Sequence, residues 1–159
     1  MLLLAVFVAT GAGAAELRTS PDTAERGCAT QPESFLSQRL ALWQQRLKLG
    51  DWKVSIVMSR ASDLKPKTLG HIEWDASRKT AVIRVLDAAE YHLPCRAMLA
   101  DMEFTLVHEL IHLELSSLPR SQASRRDEEF AVNRMADALL QLDREGASAR
   151  AISAPAAGQ

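Results

Sequence analysis

The sequence predicts an α+β domain, and three observations carry that prediction. A stretch near the start repeats its apolar residues at helical spacing, three short runs in the middle alternate as strands do, and two helical stretches follow. The expected order is an N-terminal helix, a three-stranded antiparallel or mixed sheet, an apolar helix and a C-terminal helix. A length of 159 residues suits one domain. Nineteen basic against twenty acidic side chains, a net charge of −1, leave no basic footprint for nucleic acid.

Residues 1–14 (MLLLAVFVATGAGA) carry no charge and end in Ala12-Gly13-Ala14, a small-x-small cleavage signature. The run falls short of the roughly 20 apolar residues that span a bilayer. A secretory signal peptide is expected, with a domain over 15–145 exported to the periplasm or the exterior. No Lys or Arg precedes the apolar run, which is atypical of such signals. No cysteine follows closely enough to carry a lipid, so no stable membrane anchor is expected after cleavage.

Residues 16–30 are polar and turn-rich. A helix is expected from about Pro32, a residue favoured at a first helical position. Leu36, Leu40, Trp43 and Leu47 form its apolar stripe, with Gln38, Arg39, Gln45, Arg46 and Lys48 opposite, and Gly50 is the expected stop. Trp52–Met58 alternates with period two and predicts a half-buried strand. Lys65-Pro66-Lys67 belongs to a loop. Gly70–Trp74 and Thr80–Leu86 predict two more strands around a polar turn, Asp75–Lys79. Thr80–Leu86 is apolar on both faces except at Arg84, which suits a strand covered on both sides. Residues 87–98 read as a connection, 101–115 as a helix and 126–143 as the last helix. The tail, 146–159, is expected to be disordered.

The chemistry concentrates in His108-Glu109-Leu110-Ile111-His112. On a helix of about 3.6 residues per turn, His108 and His112 lie on one face. Both imidazoles can then reach one zinc ion, at roughly 2.0–2.1 Å. Glu109 sits about 100° round the helix, placed to reach a metal-bound water as a general base. The competing reading is an amphipathic core helix that happens to carry two histidines. Phe104, Leu106, Val107, Leu110, Ile111, Leu113 and Leu115 argue for burial, and buried imidazoles beside a carboxylate need partners. Zinc with a third ligand would supply one.

That ligand is sought on the last helix. There Val132, Met135 and Leu139 mark the inward face, and helical geometry leaves Glu128 and Glu129 both open, with Glu128 closer to the centre of the face. Acidic residues also suit a helix N-terminus without any metal. Cys28 and Cys95 are the two cysteines, and in an exported protein they are expected to form one disulfide. A latent form in which the Cys95 thiolate blocks the metal is the lesser alternative. Tyr91, His92 and Arg134 are candidates to steady an oxyanion, and His71 with Glu73 is a remote candidate for a second metal site.

The His108–His112 stretch resembles the active-site helix of zinc metallopeptidases, with Glu114 as a departure two positions after His112. The order of elements resembles minimal zincin folds, including SprT-like and ImmA/IrrE-type metallopeptidases. That resemblance implies a zincin-like domain in which a sheet strand borders the cleft and pairs with an extended substrate, with Thr80–Leu86 as the candidate. It also favours Glu129 as the third zinc ligand. Reading on from Glu129, Val132, Asn133, Met135, Ala136, Leu139 and Leu140 keep the gluzincin register, and Asn133 falls where it would hold a ligating histidine. The implied activity is zinc-dependent hydrolysis of a peptide or protein substrate, with Glu109 as base. The alternative is a non-catalytic, zinc-stabilised binding or immunity-type module, in which an intact Glu109 would have no use.

Overall fold

In the computed structural model, which describes residues 32–119 and 121–153, helix α1 (Pro32–Arg46) begins at the proline expected to open it. The helix buries Leu36 and Trp43 completely. It ends earlier than Gly50. Lys48 takes a left-handed backbone (φ 59), Lys48 N–H donates to Gln45 O (3.3 Å) and Leu49 N–H to Gln44 O (2.9 Å). These are the two bonds of a Schellman cap, with lysine at the position glycine usually fills and buried Leu49 closing the apolar side. Residues 1–14, expected to be a signal peptide, and Cys28 lie outside the described residues.

Three strands follow: β1 (Lys53–Ser59), β2 (Gly70–Asp75) and β3 (Thr80–Leu86). Their order is β1-β3-β2, with β1 parallel and β2 antiparallel to β3, so the sheet is mixed. The β2–β3 hairpin turns at Asp75. Its Oδ1 accepts from Ser77 N–H (2.9 Å), Ser77 Oγ (2.6 Å) and Arg78 N–H (3.2 Å), an arrangement that lets a short polar side chain replace turn hydrogen bonds. The segment between β1 and β2 must cross the end of β3. Buried Leu64 anchors that crossing, and Asp87 N–H donates to Ser59 O (2.8 Å) beneath it.

Two expectations about β3 are corrected here. Thr80–Leu86 is the central strand, paired on both sides, and has no edge to offer a substrate. It is also covered on one face only. Ala81, Ile83 and Val85 are buried toward the helices, whereas Val82 and Arg84 stay half-exposed on the opposite face. Flanking side chains on β1 and β2 shelter that face enough for valine to be tolerated there.

Helix α2 (Cys95–Glu114) packs against α1, β2, β3 and the last helix, which explains its nearly continuous burial. It starts six residues before Asp101. Pro94 provides the extended residue before the first turn, and Cys95-Arg96-Ala97-Met98 then continues as helix. Met98, Met102, Leu106, Leu110 and Leu113 fill the core, while Thr105, Glu109 and His112 are its buried polar residues.

Helix α3 (Gln122–Ser153) is longer than expected at both ends. It docks through Val132, Ala136 and Leu140, spaced at i, i+4 and i+8. It runs through Gly146 to Ser153, eight residues into the segment expected to be disordered, because the alanines there outweigh one glycine. An ionic cluster ties the helices together. Arg39 binds Glu103 and Asp143, Arg46 binds Asp143 (2.8 Å), and Trp43 Nε1 donates to Glu103 (2.8 Å). No helix among the described residues is long and apolar enough to cross a membrane.

Candidate metal centre

Helix geometry brings His108 and His112 together, as their spacing predicts. Their Nε2 atoms stand 3.0 Å apart. From α3, Glu129 closes the triangle. Its Oε2 lies 3.4 Å from His108 Nε2 and its Oε1 3.3 Å from His112 Nε2. The three residues form a group able to hold a metal ion.

The outer ring nitrogens decide the tautomers. His112 Nδ1 donates to Glu128 Oε1 at 2.9 Å, and His108 Nδ1 donates to Asn133 Oδ1 at 3.1 Å. A carboxylate and an amide oxygen can only accept, so each Nδ1 carries a proton. In neutral rings both Nε2 atoms are then bare lone pairs. They face each other and a carboxylate, an assembly of acceptors that could hold a shared cation. His108 is held neutral: burial pushes its pKa down, nearby His112 pushes it further, and Glu129 and Asn133 oppose this only in part.

The separations fit a small divalent ion. Ligand atoms about 2.05 Å from a tetrahedral centre stand about 3.3 Å apart. The observed separations are 3.0, 3.3 and 3.4 Å. Two imidazoles and one carboxylate are a donor set such ions accept.

Glu109 stands beside this triangle and outside it. Its side chain is buried, and the Ile72 backbone N–H donates to it. Desolvation raises its pKa to about 7, and the Glu129 charge adds to the rise. The Ile72 bond shows how β2 borders the site. Leu86 N–H donates to Leu69 O (2.8 Å), so Leu69–Leu86 is a hydrogen-bonded pair and the next such pairs are His71–Arg84 and Glu73–Val82. The backbone groups of Gly70 and Ile72 therefore point away from β3. The strand along the cleft is β2, where Thr80–Leu86 was expected.

Gly70 makes this approach possible. A Cβ there would sit 2.5 Å from Thr105 Cγ2 and 2.6 Å from Arg84 O. Only a residue without a side chain lets β2 lie so close to the turn of α2 that precedes His108. Between them lies a cleft of about 590 Å³, lined by β2, α2, the start of α3 and the loop at Lys65–Leu69.

Glu128 and Glu129 lie on different sides of the imidazoles. Glu129 faces the Nε2 atoms, and Glu128, although deeper, reaches the far side of His112. Asn133 falls behind His108 as its place in the sequence led one to expect, whereas Glu128, weighed there only as a rival ligand, instead sits behind His112. The oxyanion candidates do not gather. Among the residues lining the cleft, Tyr91, His92 and Arg134 are absent. Tyr91 is half-buried, its phenol pushed up by burial and by Asp101, His92 is exposed, and Arg134 lies over the Phe130 ring at 5.3 Å. His71 does line the cleft, with Glu73 3.7 Å from its Nε2 and no third ligating side chain grouped with them among the described residues. Cys95 is not a free thiol, which removes it as a latent metal-blocking group; its expected partner, Cys28, lies outside the described residues.

No family model matches this chain, and no curated protein and no solved structure matches it at a significant level.

Proposed function

We propose that this chain is a zinc-dependent metallopeptidase, exported by residues 1–14 and braced by a Cys28–Cys95 disulfide. The observation that carries the reading is the convergence of three donor side chains beside a buried carboxylate, in an open cleft bordered by a strand edge. His108, His112 and Glu129 would hold the ion. When bound, zinc supplies a Lewis acid that polarises a carbonyl and makes a water molecule acidic near neutral pH. Glu109 accepts the proton of the attacking water on a carboxylate oxygen and returns it to the departing amine nitrogen. Its burial suits that task, because a base with a pKa near the working pH both takes and gives a proton efficiently. Glu128 and Asn133 fix the two imidazoles with Nε2 toward the ion. The outward backbone groups of Gly70 and the outward carbonyl of Ile72 offer an extended peptide an edge to pair with.

The test replaces Glu109 by Gln in the zinc-loaded protein. Zinc content should stay near one ion per chain, and cleavage of a broad peptide library should fall by about 10²–10⁴-fold. Tight zinc binding by a wild type that cleaves no peptide would instead favour the non-catalytic binding module.

A further inference from the structure

The loop that crosses the end of β3 delivers two lysines to the mouth of the cleft, and α3 delivers an arginine. Lys65, Lys67 and Arg125 all line it. None of the three pairs with a carboxylate among the described residues. The acids of the same cleft are already engaged. Glu128 binds His112, Glu129 faces both imidazoles and Glu109 takes the Ile72 N–H. Among the described residues, then, none of the three lip cations is held in an ion pair with an acid of the cleft.

The backbone beneath the lip adds an independent observation. In Lys65-Pro66-Lys67-Thr68, Thr68 N–H donates to Lys65 O (3.1 Å), Pro66 takes the second position and Lys67 the third with φ 66. That is the form of a type II turn, whose third position admits glycine or asparagine without strain. A lysine held there is a backbone outlier at the rim of a cleft, the kind of place where strain is retained for function. Thr68 Oγ also donates to Lys65 O (2.8 Å), and buried Leu64 and Gly70 pin the loop on either side. Lys65 is close enough to Glu109 for its charge to act on that carboxylate.

We propose that Lys65, Lys67 and Arg125 read a carboxylate on the peptide bound in the cleft. The carboxylate belongs either to an Asp or Glu side chain near the cleaved bond or to the C-terminus of the peptide. Lysine meets it as a mobile point charge and arginine as a two-pronged donor. The choice of a peptide as ligand rests on the peptidase reading.

The experiment uses the full chain loaded with zinc and three short fluorescent peptides of one background. The first has internal glutamates and an amidated end, the second has glutamines and an amidated end, and the third has glutamines and a free C-terminal carboxylate. Binding is read by anisotropy with the Glu109→Gln variant, and kcat/KM with the wild type. One of the carboxylate-bearing peptides should bind about ten-fold more tightly than the neutral one at low salt, less so at high salt. Which of the two does so names the source. The variant Lys65→Gln/Lys67→Gly/Arg125→Gln should lose the preference. Lys67→Gly alone should weaken it while leaving the melting temperature unchanged or higher, an outcome that a purely structural lysine would not give. Equal binding of all three peptides, or a preference that survives the triple variant, overturns the lip. Cleavage of all three at one rate sinks the lip and leaves the peptidase standing; charge-selective binding without any cleavage does the reverse.

Discussion

Removing the carboxylate of Glu128 separates a ligand from the group that holds a ligand. The Glu128 side chain is 16% exposed and that of His112 is 9% exposed, so their 2.9 Å bond is largely out of water. In Glu128→Ala the Nδ1–H of His112 loses its acceptor, and a buried unpaired donor costs about 1–3 kcal/mol. If this cost falls mainly on the metal-bound state, where the ring must keep Nε2 toward the ion, it corresponds to roughly ten- to a hundred-fold in affinity. Glu129→Ala is a different loss, because one of three donors disappears and stoichiometric binding should go with it. Competition with a chromophoric chelator measures both variants on one scale. The reasoning is refuted if Glu128→Ala binds zinc as the wild type does, and equally if it loses the ion as completely as Glu129→Ala.

Three further outcomes follow from the packing and the charges. Gly70→Ala places a methyl group against Thr105 Cγ2 and Arg84 O, so thermal melting should show a loss of about 1–3 kcal/mol, and zinc affinity should fall as β2 is pushed from α2. Lys48→Gly relieves a left-handed lysine in the cap of α1 and should raise stability by about 0.5–1 kcal/mol in denaturant titrations. At Asp143, burial pushes the carboxyl up, but hydrogen bonds from Arg39 and Arg46 outweigh it and hold the pKa below the usual aspartate range. The stability it contributes is therefore complete above that range and is lost as pH falls through the depressed folded value. Wild type and Asp143→Asn should differ in melting temperature at neutral pH and converge in strong acid; a gap independent of pH would count against the ion cluster.

Helices and strands were legible in this sequence wherever a single period dominated. The Leu36–Trp43 stripe and the alternation from Trp52 to Met58 each gave the correct element. The pairing order was not legible, because Thr80–Leu86 is almost wholly apolar and an apolar strand looks alike whether covered on one face or two. Its central place is set by the crossing loop, a tertiary choice that no local period records. The end of α1 was misplaced for a local reason. Glycine is the usual signal, and here Lys48 carries the left-handed turn while Gly50 takes no positive φ. At the site, the two histidines four residues apart were plain. The third member of the group was only favoured by resemblance, since adjacent glutamates on one helix differ by about 100° of rotation and that rotation depends on docking. The lip was not legible as a set: Arg125 lies far from Lys65 and Lys67 in sequence and meets them only because one loop crosses the sheet and α3 starts where it does.

The division of the donors between two helices has a mechanical consequence. His108 and His112 belong to α2 and Glu129 to α3, which among the described residues is otherwise attached through Val132, Ala136 and Leu140, the Asp143 cluster and the Glu128–His112 and Asn133–His108 hydrogen bonds. An ion shared by the two helices is a removable staple. It would close the segment between residues 112 and 129 in the folded chain and only weakly in the unfolded one, so occupancy would raise stability by about RT ln(1 + [ion]/Kd). That gain should be local. With zinc, amide exchange should slow in the first turns of α3 and in the link from α2, while the hairpin of β2 and β3 keeps its own rate. Chelation would then act as a release catch on one helix, loosening the wall of the cleft before it touches the core.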